Sequence, residues 1–157
     1  MPSNIATLDD LAATLPAKAR LMGLDLGTKT IGVAISDVER RLATPVETIA
    51  REKFQKDAAA MFKLANAREA AAFVIGLPLN MDGSEGPRAQ ATRAFVRSCA
   101  PLDARPFVFW DERLSTAAVT RALIEQDASR KRRAEVVDRM AAAYILQGAL
   151  DRLKRLG

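Results

Sequence analysis

The run Phe73-Val74-Ile75-Gly76-Leu77 is apolar without interruption. A strand with one face in water would show a polar residue at every second position, so an unbroken run implies burial on both faces. Helical periodicity flanks it. Phe54, Ala58, Met61, Phe62 and Ala65 recur over residues 52–68, and a second helix is predicted over 88–99. An interior strand walled by helices belongs to an α/β layered domain. The remaining segments fit around it. Period-two alternation predicts strands over 21–26 and 31–35 joined by a turn at 27–30, with a third strand over 42–49. A strand over Phe107–Trp110 and helices over 115–126 and 134–154 complete the order βββαβαβαα. This predicts one domain over residues 20–157, a mixed five-stranded sheet with helices on both faces. Residues 1–19 read as an N-terminal extension, with one or two helical turns capped by Thr7 or Asp9.

Composition excludes several chemistries. The 157 residues include no His and a single Cys, Cys99. That rules out Ser-His and Cys-His nucleophile pairs, an HExxH zinc site, an internal disulfide and every multi-cysteine zinc pattern. No apolar run approaches the ~20 residues that cross a bilayer. The N-terminus carries early acids and lacks a basic segment followed by an apolar one, so it does not read as a secretory signal. The expectation is a soluble protein of a reducing, cytoplasmic compartment with no membrane partner. With 24 basic against 19 acidic residues the net charge is +5, a balance that suits a polyanionic partner.

The acidic residues at element boundaries carry the functional signal. Asp25 ends the first strand, on the side of Leu21 and Gly23, with Gly27 allowing close approach to the backbone. As a turn residue it would be unremarkable, and alone it is a weak signal. Asp111 and Glu112 end the strand of aromatic and aliphatic residues. Arg113 beside them offers a surface ion pair as the plain reading. Alternation puts Glu112 with Val108 and Trp110, and Asp111 with Phe107 and Phe109; Glu112, with the longer reach, is preferred, and Asp111 stays the alternative. Asp138 shares a helix face with Ala142, Ile145, Ala149 and Leu153. A lone charge on that face costs several kcal/mol unless it is paired or binds a metal. Ala141-Ala142-Ala143 would let this helix approach the sheet.

Carboxylates gathered without a cation repel one another and raise each other's pKa. Hard oxygen donors favour Mg²⁺ or Mn²⁺ over zinc. Two such ions would activate a water and stabilise a leaving oxygen without any histidine. Lys29 follows Asp25 closely enough to touch a scissile phosphate. Arg130-Lys131-Arg132-Arg133, ahead of the last helix, is a second candidate for phosphate contact, although a charge run is usually a solvated loop. Asn80, in a loop over 78–87 that closes on a substrate or simply connects, and Arg113 complete the candidate nucleic-acid contacts.

Taken together, DLGTKTIGVAISD, VIGLPLNMDGSEG, DERLST and VDRMAAAYILQGAL resemble the YqgF (RuvX) family of pre-16S ribosomal RNA nucleases, in that family's order, from Leu21 to Leu150. The resemblance implies an RNase H-like three-layer fold related to Holliday-junction resolvases. It also implies divalent-metal hydrolysis of RNA phosphodiesters by Asp25, Glu112 and Asp138, in trimming the 5′ end of pre-16S rRNA, so that structured RNA is the expected partner. Departures exist. Arg139 follows Asp138 where the family often has Ser, and Thr30 stands where Arg or Ser is common. Resolvases place a Glu where this chain reads Gly76-Leu77-Pro78, which ranks RNA processing above junction cleavage. A resolvase-like DNA endonuclease and a non-catalytic RNA- or transcription-associated binding protein are the alternatives. An ATPase of the actin and sugar-kinase type needs two such domains, more than this length supplies. Monomer and homodimer are both compatible with the sequence.

Overall fold

The computed structural model of the protein describes residues 4–114 and 130–156, with the backbone alone over 130–139. Among these residues one sheet holds β1 (Ile5–Ala6), β2 (Arg20–Leu26), β3 (Thr30–Ser36), β4 (Ala43–Ala50), β5 (Ala70–Leu77) and β6 (Phe107–Asp111). Its spatial order is β1-β6-β5-β2-β3-β4. Strands β2, β3 and β4 are antiparallel neighbours, whereas β5 runs parallel to β2 and β6, and β1 parallel to β6. Four helices accompany the sheet in the described residues: α1 (Leu8–Thr14), α2 (Phe54–Ala67), α3 (Pro87–Cys99) and α4 (Arg130–Leu156). The helix expected over 115–126 lies outside the described residues.

The sheet divides the core in two. Met22, Leu24, Leu26, Ile31, Val33, Phe73, Ile75 and Phe107 pack with Ala58, Met61 and Ala65 of α2 and with Phe95 and Val96 of α3. Leu21, Ala34, Ala72, Val74, Val108 and Trp110 turn the other way, onto Ala142, Ile145, Leu146, Ala149 and Leu150 of α4. The unbroken apolar run in β5 is thereby explained, since Phe73 and Ile75 serve one core and Val74 the other. Burying each such aliphatic or aromatic side chain stabilises the fold by roughly 1.5–3 kcal/mol before entropy is counted.

Two expectations need correction. The sheet has six strands rather than five, because Ile5 and Ala6 pair beside Phe107 and Val108. Two residues are too short to show a period, and their place is set from afar: Asn4 donates its side-chain amide to the carbonyls of Ala100 and Asp103, and its own carbonyl accepts from the Phe107 amide. The second correction concerns Arg130-Lys131-Arg132-Arg133, which opens α4 rather than preceding it in a loop. Arg and Lys are good helix formers, so the apolar stripe does not have to begin where the helix does. Helix α1 is capped by Thr7, whose hydroxyl accepts from the Asp10 amide (3.2 Å) while the Asp10 carboxylate accepts from the Thr7 amide (2.9 Å). No helix among the described residues is long and apolar enough to cross a membrane.

Helix α4 lies very close to the sheet. A Cβ placed on Gly23 would fall 2.6 Å from Leu146 Cβ and 2.8 Å from the Ala142 carbonyl oxygen. Backbone cannot yield there as a flexible side chain would, so overpacking is the expected consequence of any larger residue. Gly23→Ala should lower stability by about 1–3 kcal/mol, read as a fall of several degrees in Tm. An unchanged Tm would mean that α4 does not press on β2 at this point.

Candidate active site

Strands β2 and β5 are parallel, so their carboxyl ends lie side by side. Leu24 is level with Ile75, the last pair of that ladder, and Asp25 and Gly76 follow them. Gly76 in turn partners Trp110 of β6, whose last residue is Asp111. Glu112 then begins a short 3-10 turn, Glu112–Leu114. Alternation along β2 sends Leu21, Gly23 and Asp25 to the α4 side, since Leu21 and Gly23 both meet that helix. Asp25 is 1% exposed and Glu112 3% exposed.

Gly76 joins the two carboxylates. A Cβ built on it would lie 2.7 Å from Glu112 Oε2 and 2.5 Å from Ile145 Cδ1. The Glu112 side chain therefore reaches back over the end of β5, into space that any other residue at position 76 would fill. Asp25 and Gly76 are the next residues along the two strands after the Leu24–Ile75 pair. Two buried carboxylates are thus brought to one side of the sheet across a glycine. Burial of such charges costs several kcal/mol unless they are matched by hydrogen bonds or a cation. This donor set, all hard oxygen with no histidine in the chain, fits Mg²⁺ or Mn²⁺.

Asp138 lies in α4 one turn before Ala142, the residue whose carbonyl faces Gly23. Its side chain is outside the described residues, as are those of Arg130, Lys131, Arg132 and Arg133. Among the described residues no three Cys, Asp or Glu side chains gather as a metal site. Asp25 and Glu112 are the two acids that the described structure places together here.

Asp111 is used differently. Arg113 donates to it through Nη2 at 2.7 Å and Nε at 3.0 Å, and the Arg113 amide adds a third bond at 3.0 Å. These hydrogen bonds hold the Asp111 carboxyl below its ordinary value. The remaining arm of Arg113 donates to the Met81 carbonyl at 3.1 Å. Arg113, expected as a nucleic-acid contact, is therefore also a brace on the loop after β5. That loop is internally bonded: the Asn80 amide donates to the Ser84 carbonyl, Asn80 Nδ2 to Ser84 Oγ (3.0 Å), and Ser84 Oγ to Asp82 (2.5 Å). Gly83 adopts φ +88°, which a residue with a side chain rarely tolerates. Arg93 of α3 adds a second brace, bound to Glu85 at 2.8 and 2.9 Å and lying over the Phe109 ring. Nothing in the sequence spacing announced these braces, because they depend on how the loop folds. Lys29 is exposed in the β2–β3 turn, which the Gly27 amide closes onto the Thr30 carbonyl at 2.8 Å.

Solved structures share this fold. RuvC of Thermus thermophilus in complex with a Holliday junction substrate superposes with a TM-score of 0.53 at 13% identity, over 87% of this chain and 96% of that one. A second Thermus thermophilus RuvC structure gives 0.51 at 14% identity, over 87% and 97%. The architecture is the RuvC-like, RNase H-like α/β fold. The family model of RuvX, described as Holliday junction resolvase, matches residues 19–152, and the chain belongs to that family. A Methylocella silvestris relative is 66% identical over 99% of this chain and 97% of its own length. One from Beijerinckia indica is 65% identical over 98% and 93%, and one from Rhodobacter capsulatus 63% identical over 96% and 94%. All three bear the name "Putative pre-16S rRNA nuclease".

The Asp111–Arg113 pair predicts a pH effect with a definite sign. A carboxyl lowered in the folded state stabilises above its unfolded value of 3.8, and the contribution drains away as pH falls through the lowered one. Asp111→Asn should therefore cost at most about 1 kcal/mol at neutral pH, as expected of a partly exposed pair, and progressively less below pH ~4. Urea unfolding at pH 7 and pH 3 checks this. An equal loss at both would mean that the pair is not the source.

Proposed function

We propose that this protein is a divalent-metal-dependent nuclease that hydrolyses RNA phosphodiesters and processes the 5′ end of pre-16S rRNA. The observation that carries this reading is the placement of Asp25 and Glu112, both buried, on one side of the sheet across Gly76. The names borne by relatives sharing more than 60% identity over nearly the whole chain support the substrate. The two acids come from the ends of β2 and β6, which flank β5, and the resemblance adds Asp138 as the third.

In this reading Asp25, Glu112 and Asp138 hold Mg²⁺ or Mn²⁺, as two ions. Bound there, the metal supplies water activation and neutralises charge on the phosphoryl oxygens. The chain's own residues do the rest. Asp25 enters from β2 and Glu112 from the turn after β6, so their separation is fixed by strand register rather than by flexible loops. Gly76 leaves room for the Glu112 side chain to reach back over the end of β5. Helix α4 covers the apolar side and keeps bulk water from the carboxylates. Lys29, exposed beside β2, offers its ammonium to the phosphate backbone of the substrate, and Arg130, Lys131, Arg132 and Arg133 are further candidate nucleic-acid contacts. Asn80 and Arg113 border the site through the braced loop.

The runner-up is cleavage of branched DNA, favoured by the RuvC likeness of the fold. Gly76 stands where the resemblance puts a resolvase Glu, which places RNA first. A binding protein without turnover is the third possibility.

Purified protein should cleave a precursor RNA carrying the 5′ leader in Mn²⁺, and Asp25→Asn and Asp138→Asn should each lose at least about 100-fold in rate. Calorimetric titration with Mn²⁺ should weaken in parallel in the same variants. Parent-level cleavage by both would remove these residues from catalysis. A four-way DNA junction cut faster than the RNA would reverse the order of substrates.

A further inference from the structure

The arginines at the carboxyl ends of the strands fall into two groups. Arg93 is bound to Glu85 at 2.8 Å and Arg113 to Asp111 at 2.7 Å, so each charge is matched by a carboxylate. Arg51 and Arg88 are fixed through main-chain carbonyls, Arg51 with the Asp57 carboxylate besides. Arg51 comes from the connection between β4 and α2, Arg88 from the first turn of α3. They converge on consecutive main-chain carbonyls: Arg51 Nη1 donates to Gly27 at 2.7 Å, and Arg88 Nη2 to Leu26 at 3.2 Å. Leu26 and Gly27 are the two residues that follow Asp25.

A neutral carbonyl fixes a guanidinium without cancelling its charge. Arg88 is exposed, and among the described residues no carboxylate pairs with it. Arg51 has Asp57 at 3.7 Å, a residue 2% exposed that also accepts from the Glu52 amide at 2.8 Å. The Arg51 amide donates to the Lys29 carbonyl at 2.8 Å, so this one residue grips both ends of the turn that carries Lys29. Three cations, Lys29, Arg51 and Arg88, therefore gather at the one short turn that follows Asp25, with Asp57 the buried acid among them. Glu52 is nearby but exposed, 3.9 Å from Lys56.

Location matters as much as pairing. Arg40 also donates only to carbonyls, those of Pro16 and Ala19, yet it does so at the opposite end of β2, where it clips two loops together. Arg51 and Arg88 are held at the end where Asp25 lies. Their carbonyl bonds fix the planar forks and leave further N–H groups for a ligand that accepts several hydrogen bonds and carries negative charge.

We propose that Lys29, Arg51 and Arg88 form a phosphate-binding subsite, which seats the phosphodiester next to the one that is cleaved. The ligand class follows from the nuclease reading above; the geometry of the subsite does not depend on it. Contact of this kind is independent of base sequence and sets the register of the strand across Asp25 and Glu112.

Full-length protein is titrated in EDTA, where cleavage is suppressed, against a fluorescent RNA hairpin with a single-stranded 5′ extension, across a salt series. Arg88→Gln and Lys29→Gln should each weaken binding several-fold and reduce the slope of log K against log salt by about one. Arg97→Gln, the same charge change at the far end of α3, should keep the parent slope. Arg51→Gln should lose both affinity and the Lys29 contribution, so that Lys29→Gln adds little in its background. Parent slopes in Arg88→Gln and Lys29→Gln, with far-ultraviolet dichroism unchanged, would overturn the proposal. So would an equal loss in Arg97→Gln. Either failure, alongside Mn²⁺ cleavage that still needs Asp25, leaves the nuclease reading standing. Reduced slopes alongside cleavage that ignores Asp25 would instead leave the subsite and remove the catalytic reading.

Discussion

Helix α4 crosses the sheet at a separation that only glycine permits beneath it. At Gly23 the helix backbone itself would meet an added Cβ, and at Gly76 the obstacle would be Ile145 on one side and Glu112 on the other. Close approach buries Ala142, Ile145, Leu146, Ala149 and Leu150 against Leu21, Val74, Val108 and Trp110. It also closes over the ends of β2 and β5, so that Asp25 and Glu112 lose water. The same contact therefore supplies much of one core and creates the low-exposure setting in which carboxylates and a hard cation attract most strongly.

Around that contact the strand ends divide their work. Charges on the α4 side, Asp25 and Glu112, are buried. Those on the loop side are consumed by structure: Asp111 by Arg113, Glu85 by Arg93, with the loop over 80–86 pinned between them. The β2–β3 turn is fastened by Arg51 and Arg88 through carbonyls, and among the described residues no carboxylate pairs with Arg88 at these strand ends. A rigid frame with acids in its recess and cations on its rim suits a polyanion that must be held near a metal.

Much of this was legible because each residue's burial leaves a mark in the sequence. Phe73–Leu77 reads as an interior strand since both its faces meet apolar layers, and the longer reach of Glu112 puts it ahead of Asp111. The face of α4 likewise follows from Ala142, Ile145, Ala149 and Leu153, all of them buried. What escaped has physical reasons. Ile5 and Ala6 form a strand through Asn4 bonds to carbonyls nearly a hundred residues away, with no local period to betray it. The basic run at 130–133 is helical because nothing in Arg or Lys opposes helix formation. Arg51 and Arg88 were invisible as a pair, since their acceptors are main-chain oxygens and any residue at 26 or 27 supplies one.

The central claim is that Asp25, Glu112 and Asp138 surround one metal centre beside the N-terminal half of α4. A crystal soaked in Mn²⁺ and measured near the manganese edge addresses it directly. The account predicts anomalous density beside Gly76, within coordination distance of Asp25 and Glu112 and of a carboxylate from α4. Density elsewhere only, or none at this position with both carboxylates turned away, would contradict it.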